Sequence, residues 1–217
     1  MAIPIKSPAD IEGMRRAGAL LWRILEDSLL HARAQATTSS IESLIASRIV
    51  EAGADPVMRT GGFPGAASIT VNEEVAHAPP GPRRLREGDL VTIDASLRLD
   101  GWCADAARAF AVGDPTPQAS RLLGAVRASM ESVIAAIRPG ARWSQVARAV
   151  LPPPGGSVIR EYAGHGIGRA LQEPPAAPFL PNSSGQMPPA GQDFVLRPGM
   201  VLTVEPVLAL GRPEVLG

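Results

Sequence analysis

Two carboxylates stand at matched places in apolar, strand-like runs, and a third follows the first of them. Residues 85–97 read Leu-Arg-Glu-Gly-Asp-Leu-Val-Thr-Ile-Asp-Ala-Ser-Leu, and residues 196–208 read Leu-Arg-Pro-Gly-Met-Val-Leu-Thr-Val-Glu-Pro-Val-Leu. Aligned, Leu85 meets Leu196, Gly88 meets Gly199, Thr92 meets Thr203 and Asp94 meets Glu205. A further acid, Asp105, follows the first copy, and the chain stops at Gly217 before an equivalent appears after the second. A carboxylate buried in an apolar strand is costly unless a cation compensates it. The competing reading is a solvated face, since half-polar antiparallel strands are common. The scarcity of other charges around these acids favours the cation.

Spacing brings two of the acids together. Asp100-Gly101 between apolar runs is a strong hairpin signal. With a two-residue loop, position 99 faces 102, Ser96 faces Asp105 and Asp94 faces Ala107. Side chains alternate along a strand, so Asp94 and Asp105 share a face as diagonal neighbours, about 7–8 Å apart. Carboxylates so placed reach metals about 3.5–4 Å apart, as two-metal hydrolases require. Cys103 falls on the same face, although a free cysteine usually behaves as a small apolar residue. His165, in Gly164-His165-Gly166-Ile167-Gly168, is open to close approach by metal and substrate, but alone it reads as an ordinary loop histidine. That segment fails as a phosphate loop, which would need glycine at Arg169. His77 alone says nothing, and His31 reads as a surface or capping residue at a helix end.

The elements that must hold these residues follow from periodicity. Ser7-Pro8-Ala9-Asp10 starts a helix that runs to about Leu30, with Ile11, Met14, Leu21, Ile24 and Leu25 at helical spacing. A second helix is expected from Ser40 to Ala52, with Ile41, Leu44, Ile45 and Ile49 inward. Strands are expected at 66–72 and 90–112, helices from Thr116 to Ile137 and from Trp143 to Leu151, and strands again at 157–163 and 194–210. The order helix, helix, strands occurs twice. It predicts an α+β chain of two similar halves, with helices on one sheet face.

Composition sets outer bounds. The 217 residues form one substantial domain, 45% apolar, with 21 basic and 21 acidic side chains. Zero net charge offers no field for nucleic acid or an anionic membrane. The single cysteine excludes an internal disulfide and suits a reducing cytoplasm. No signal-peptide h-region and no membrane-length apolar run is present. The 22 prolines and 22 glycines cluster at 79–82, 152–156 and 174–191, which read as loops.

Taken together, these motifs resemble those of the bacterial type I methionine aminopeptidases, of peptidase family M24. Residues 68–79, 91–94 and 100–110 look like the family's asparagine-glutamate-x-x-x-histidine stretch, isoleucine-aspartate strand and aspartate-glycine hairpin. Residues 164–168 and 203–206 look like its glycine-histidine-glycine-isoleucine-glycine and threonine-x-glutamate-proline motifs, and residues 3–15 match its usual start. The resemblance implies the pita-bread fold with two pseudo-symmetric halves over a single domain of residues 1–217. It implies Asp94, Asp105, His165 and Glu205 as ligands of two divalent ions, with Co, Mn, Fe and Zn all compatible. Glu205 would also accept the proton of the metal-bound hydroxide's parent water. His77 would hydrogen-bond the reacting amide, Phe63 would line the methionine pocket, and Gln172 would contact substrate. The implied reaction removes N-terminal methionine from nascent proteins in the cytoplasm, with the ribosome as a further partner and no membrane or nucleic-acid site.

Three departures from the family accompany this. The family's fifth ligand, a bridging glutamate on a later strand, has no counterpart before Gly217, so the chain reads as truncated at its C-terminus with its last strands missing and its second metal site impaired. Glu214 is a poor substitute. Gln172 replaces an active-site histidine, and an amide cannot exchange a proton near neutral pH. An aromatic pocket residue is absent near Thr60, and residues 174–193 look inserted. The alternative function is therefore a catalytically impaired protein of the same fold that binds peptide ends or ribosomes. A proline-directed relative is a weaker third reading, because such enzymes carry a large N-terminal domain. A complete chain is expected to be monomeric. A truncated one is expected to be weakly stable or self-associating through its exposed edge.

Overall fold

The computed structural model describes residues 2–179 and 193–215. In chain order the elements are α1 (Pro8–His31), α2 (Thr38–Glu51), β1 (Asp55–Pro56), α3 (Val57–Thr60), β2 (Ala67–Val71), β3 (Leu90–Leu99), β4 (Trp102–Ala111), α4 (Pro117–Ala136), α5 (Trp143–Ala147), β5 (Gly156–Val158), β6 (Ala163–Gly166), β7 (Glu173–Pro178) and β8 (Leu208–Leu210). They form two compact units: the first takes residues 9–119 and 168–171, the second the described residues of 1–8, 120–167 and 172–217.

In the first unit a four-stranded antiparallel sheet has the order β1-β3-β2, with β4 also on β3. On β3, Val91, Ile93, Ala95 and Leu97 alternate into one core with Leu21 and Leu25 of α1 and Ile41, Ile45 and Ile49 of α2, and Ser96 is buried on the other face. That alternation turns Thr92, Asp94 and Ser96 to the opposite face. β3 and β4 pair from Leu99↔Trp102 to Leu90↔Ala111 without a shift, which includes Asp94↔Ala107 and Ser96↔Asp105. Asp100 and Gly101 both take positive φ, 50° and 76°. That backbone supplies the twist a two-residue hairpin needs, and it bears out the expected register.

The second unit has its own core, in which Trp143 is fully buried with Val133, Val146, Phe179 and Leu196. Trp143 donates Nε1–H to the Pro178 carbonyl at 2.7 Å, so its one polar atom is satisfied. Lys6, the chain's only lysine, forms a largely buried ion pair with Glu173 at 2.5 Å. The Lys6 N–H also donates to Gly199 O at 2.7 Å, which pins the N-terminal segment inside this unit.

The internal repeat is visible in hydrogen bonds. Leu85 exchanges backbone bonds with Gln35 and Ala36, as Leu196 does with Gly140 and Ala141. Thr38 N–H donates to Arg83 O at the start of α2, and Trp143 N–H donates to Phe194 O at the start of α5. The cap residues Thr37 and Arg142 bridge Arg84 and Val195, and each N–H is taken by the side chain three residues on, Ser40 or Gln145. Gly88 and Gly199 share a left-handed turn, φ 83° and 87°. The two halves are thus built alike, as the aligned sequences require.

Beyond that turn the copies differ, and three expectations need correction. The strand expected at 194–210 is regular only at β8; Val195 and Leu202 form isolated bridges. Pro206 has no N–H to offer, so the backbone is tied at separate points instead: Thr203 N–H to His165 O, and Ile159 N–H to Val207 O, both at 2.8 Å. The strand expected at 157–163 splits into β5 and β6, which places His165 in a strand rather than a loop. Residues 174–178, expected as loop or insertion, lie in β7, and the rest of that stretch to residue 192 falls mostly outside the described residues. Among the described residues β7 pairs only with β6 in a two-stranded sheet, an edge position where missing proline N–H groups cost least.

Candidate metal centre

In the second unit, backbone packing brings a histidine and a glutamate together. The two glycines around His165 are required by neighbouring chain: a Cβ on Gly164 would overlap the Thr203 carbonyl, and one on Gly166 would overlap the Pro174 carbonyl. These glycines admit flanking backbone, not a ligand as their spacing suggests. The close approach leaves His165 Nε2 3.5 Å from Glu205 Oε1, with 13% and 41% of the side chains exposed. His165 Nδ1 lies 2.9 Å from the Gly166 carbonyl. A carbonyl only accepts, so in this contact Nδ1 donates to Gly166 O, and Nε2 is the ring nitrogen turned toward Glu205. Glu205 Oε1 already accepts from Thr203 Oγ1 at 2.5 Å.

In the first unit, Asp94 and Asp105 are half-buried on one face of the β3–β4 hairpin, and Ser96 stands directly opposite Asp105. The Ser96 hydroxyl is fully buried and has no hydrogen-bond partner among the described residues. Cys103, on the same face, is buried; its N–H donates to Gly168 O at 2.8 Å and its thiol faces Arg169 O at 3.6 Å. The guanidinium of Arg169 lies 3.6 Å from the Trp102 ring centroid, so residues 168–171 are held against the hairpin end.

The donor chemistry fits divalent metal in each unit. One unit sets an imidazole nitrogen and a carboxylate oxygen 3.5 Å apart. The other sets two half-buried carboxylates on one hairpin face beside the Ser96 hydroxyl.

The remaining sequence-predicted residues are placed individually. His77 is exposed and has φ 54°, a left-handed conformation uncommon outside glycine. The loop that carries it is held by Glu74, which accepts from Val71 N–H at 2.8 Å and pairs with Arg83 at 2.7 Å. Asn72, also left-handed, bonds Asp89 and Leu90 N–H. Phe63 is half-buried just after α3, its N–H on Met58 O. Gln172 is exposed immediately before β7; Thr60 and Glu214 are exposed. Two supporting residues escaped the sequence reading. Glu42, buried on α2, accepts from Ala66 N–H and Arg59, both at 2.7 Å, and so holds the segment that carries Phe63. Thr203 bridges His165 and Glu205. A buried acid inside an apolar helix face was the available signal for the first, and its place in a repeated motif for the second.

Comparison with known proteins follows this geometry. The profile described as "Metallopeptidase family M24" matches residues 12–215. The chain is 35% identical over 216 residues to a protein of Treponema pallidum (strain Nichols) named methionine aminopeptidase, covering 98% of this chain and 82% of that one. It is 32% identical over 221 residues to the Escherichia coli (strain K12) protein of the same name, covering 99% and 81%. The crystal structure of methionine aminopeptidase from Rickettsia prowazekii superposes with a TM-score of 0.91 at 31% identity, covering 99% of this chain and 86% of that one.

Proposed function

Because the chain belongs to metallopeptidase family M24 and is an aminopeptidase of pita-bread α+β fold, we propose that it removes N-terminal methionine from nascent proteins. Asp94, Asp105, His165 and Glu205 would hold two divalent ions. The observation that carries this reading is the approach of His165 Nε2 to Glu205 Oε1 at 3.5 Å. Divalent ions bound by these residues supply Lewis acidity, which polarises a scissile carbonyl and acidifies water.

The chain's own groups do the remaining work. Glu205 keeps a partly exposed carboxylate that takes a proton from water and returns it to the departing amine. His77, presented on its left-handed turn, hydrogen-bonds the reacting amide. Phe63 lines the pocket for the methionine side chain, and Gln172 donates an amide hydrogen bond without exchanging a proton. Oxygen-rich ligation with one imidazole suits Co, Mn, Fe or Zn. Residues 1–217 act as one catalytic domain, in the cytoplasm, with nascent chains as substrate.

A second reading, a protein that binds peptide ends or ribosomes without cleaving, is favoured by Gln172, whose amide lacks the proton chemistry of imidazole. Two peptides differing only in their first residue separate the readings. A methionine-alanine peptide cleaved in preference to its leucine-alanine counterpart supports the aminopeptidase. Binding of both without release of a free amino acid supports the second reading and overturns the first.

A further inference from the structure

We infer that Thr203 is a positioning residue that sets the metal affinity of the His165–Glu205 pair. The inference rests on the metal-centre reading above. A threonine hydroxyl has one proton and two lone pairs. Oγ1 of Thr203 accepts the His165 N–H at 2.8 Å, which uses one lone pair. Its proton has two possible acceptors, Glu205 Oε1 at 2.5 Å and His165 O at 3.3 Å. The short bond to an ionised carboxylate is the stronger, so the proton points at Glu205. Thr203 N–H also donates to His165 O at 2.8 Å.

Thr203 therefore grips both backbone groups of the histidine and one oxygen of the glutamate. Its own strand-like segment has no regular ladder to fix it, since Pro206 interrupts pairing nearby. The hydroxyl joins the backbone bonds from Thr203 N–H to His165 O and from Ile167 N–H to Val201 O in fixing how the two ligands face each other. With Oε1 held by Thr203 and the imidazole ring oriented by the Nδ1 contact to Gly166 O, Nε2 and Oε1 lie 3.5 Å apart. Outer partners of this kind typically change metal affinity 10–100-fold when removed. The isosteric Thr203→Val keeps the branched shape and deletes the hydroxyl; Thr203→Ser keeps the hydroxyl and deletes the methyl.

The test is calorimetric titration of the metal-free full chain with Co²⁺ alone, for wild type and both variants. Thr203→Val is expected to lose affinity at least about tenfold, with Thr203→Ser within about threefold of wild type. If Thr203→Val does not fold, Thr203→Ala replaces it, since it differs from Thr203→Ser only in the hydroxyl. A hydroxyl-free variant that folds and binds Co²⁺ as wild type does overturns the inference and leaves the metal-centre reading standing. Wild-type protein that binds no Co²⁺ overturns both.

Discussion

Glu205 has 41% of its side chain exposed, yet one of its oxygens is already committed to Thr203. That combination, a carboxylate aimed but still reachable, is what a group serving both metal and proton transfer requires. Glu205→Gln removes the charge with little change of shape. It is expected to lower kcat by about 10³-fold, the equivalent of several kcal/mol of transition-state stabilisation, in a steady-state assay on a methionine-alanine peptide. Gln172→His restores a side chain that exchanges protons near neutrality. It is expected to raise kcat at least about tenfold and to add a limb to the pH–rate profile; an unchanged profile would remove Gln172 from the mechanism. At this scale the acids were legible because a charge in an apolar run is conspicuous. The repeat marked the position of Thr203, but its role became legible only through its partners, the His165 N–H and Glu205 Oε1. His77 was legible only through resemblance, since its left-handed φ of 54° leaves no trace in composition.

The hairpin is the element that sequence predicts best. Its turn needs two residues at positive φ, Asp100-Gly101 supplies them, and alternation on β3 then sets which face every side chain takes. The segments around Glu205 and in β7 were misread for one reason: proline removes ladder donors, and pairing then depends on which neighbour the fold supplies. Gly164→Ala would drive a Cβ into the Thr203 carbonyl, so it is expected to cost about 1–3 kcal/mol in chemical denaturation and to weaken metal binding together with stability. Lys6→Met leaves Glu173 without its cation in a site where the pair is 8% and 13% exposed. It is expected to cost about 3 kcal/mol by the same measurement. On the exposed end of α2, the Ser47 hydroxyl and then Arg48 hold the Glu51 carboxyl below its ordinary range. A lowered carboxyl contributes stability above its unfolded value and loses it as pH falls through the folded one. Glu51→Gln should therefore narrow the gap between the thermal midpoints at neutral and acidic pH slightly.

At the scale of the molecule, two units repeat one plan: two helices, a capped helix start bonded to a following turn, and a left-handed glycine. The plan was legible because the alignment of residues 85–97 with 196–208 carries the turn and the acid together. What each half does after the turn was not, since a ten-residue β3 and the broken segment before β8 begin from the same local pattern. No helix among the described residues is long and apolar enough to cross a membrane. Metal bound only by the folded chain adds stability by mass action, about 2.7 kcal/mol at a hundredfold excess over Kd. Metal-dependent removal of N-terminal methionine is decided by one turnover measurement. Purified full chain is stripped with a chelator, reloaded with Co²⁺ or Mn²⁺, and given a methionine-alanine-serine peptide. Free methionine released by the reloaded protein, and not by the stripped one, is the predicted result. Folded, metal-loaded protein that leaves the peptide intact would contradict it.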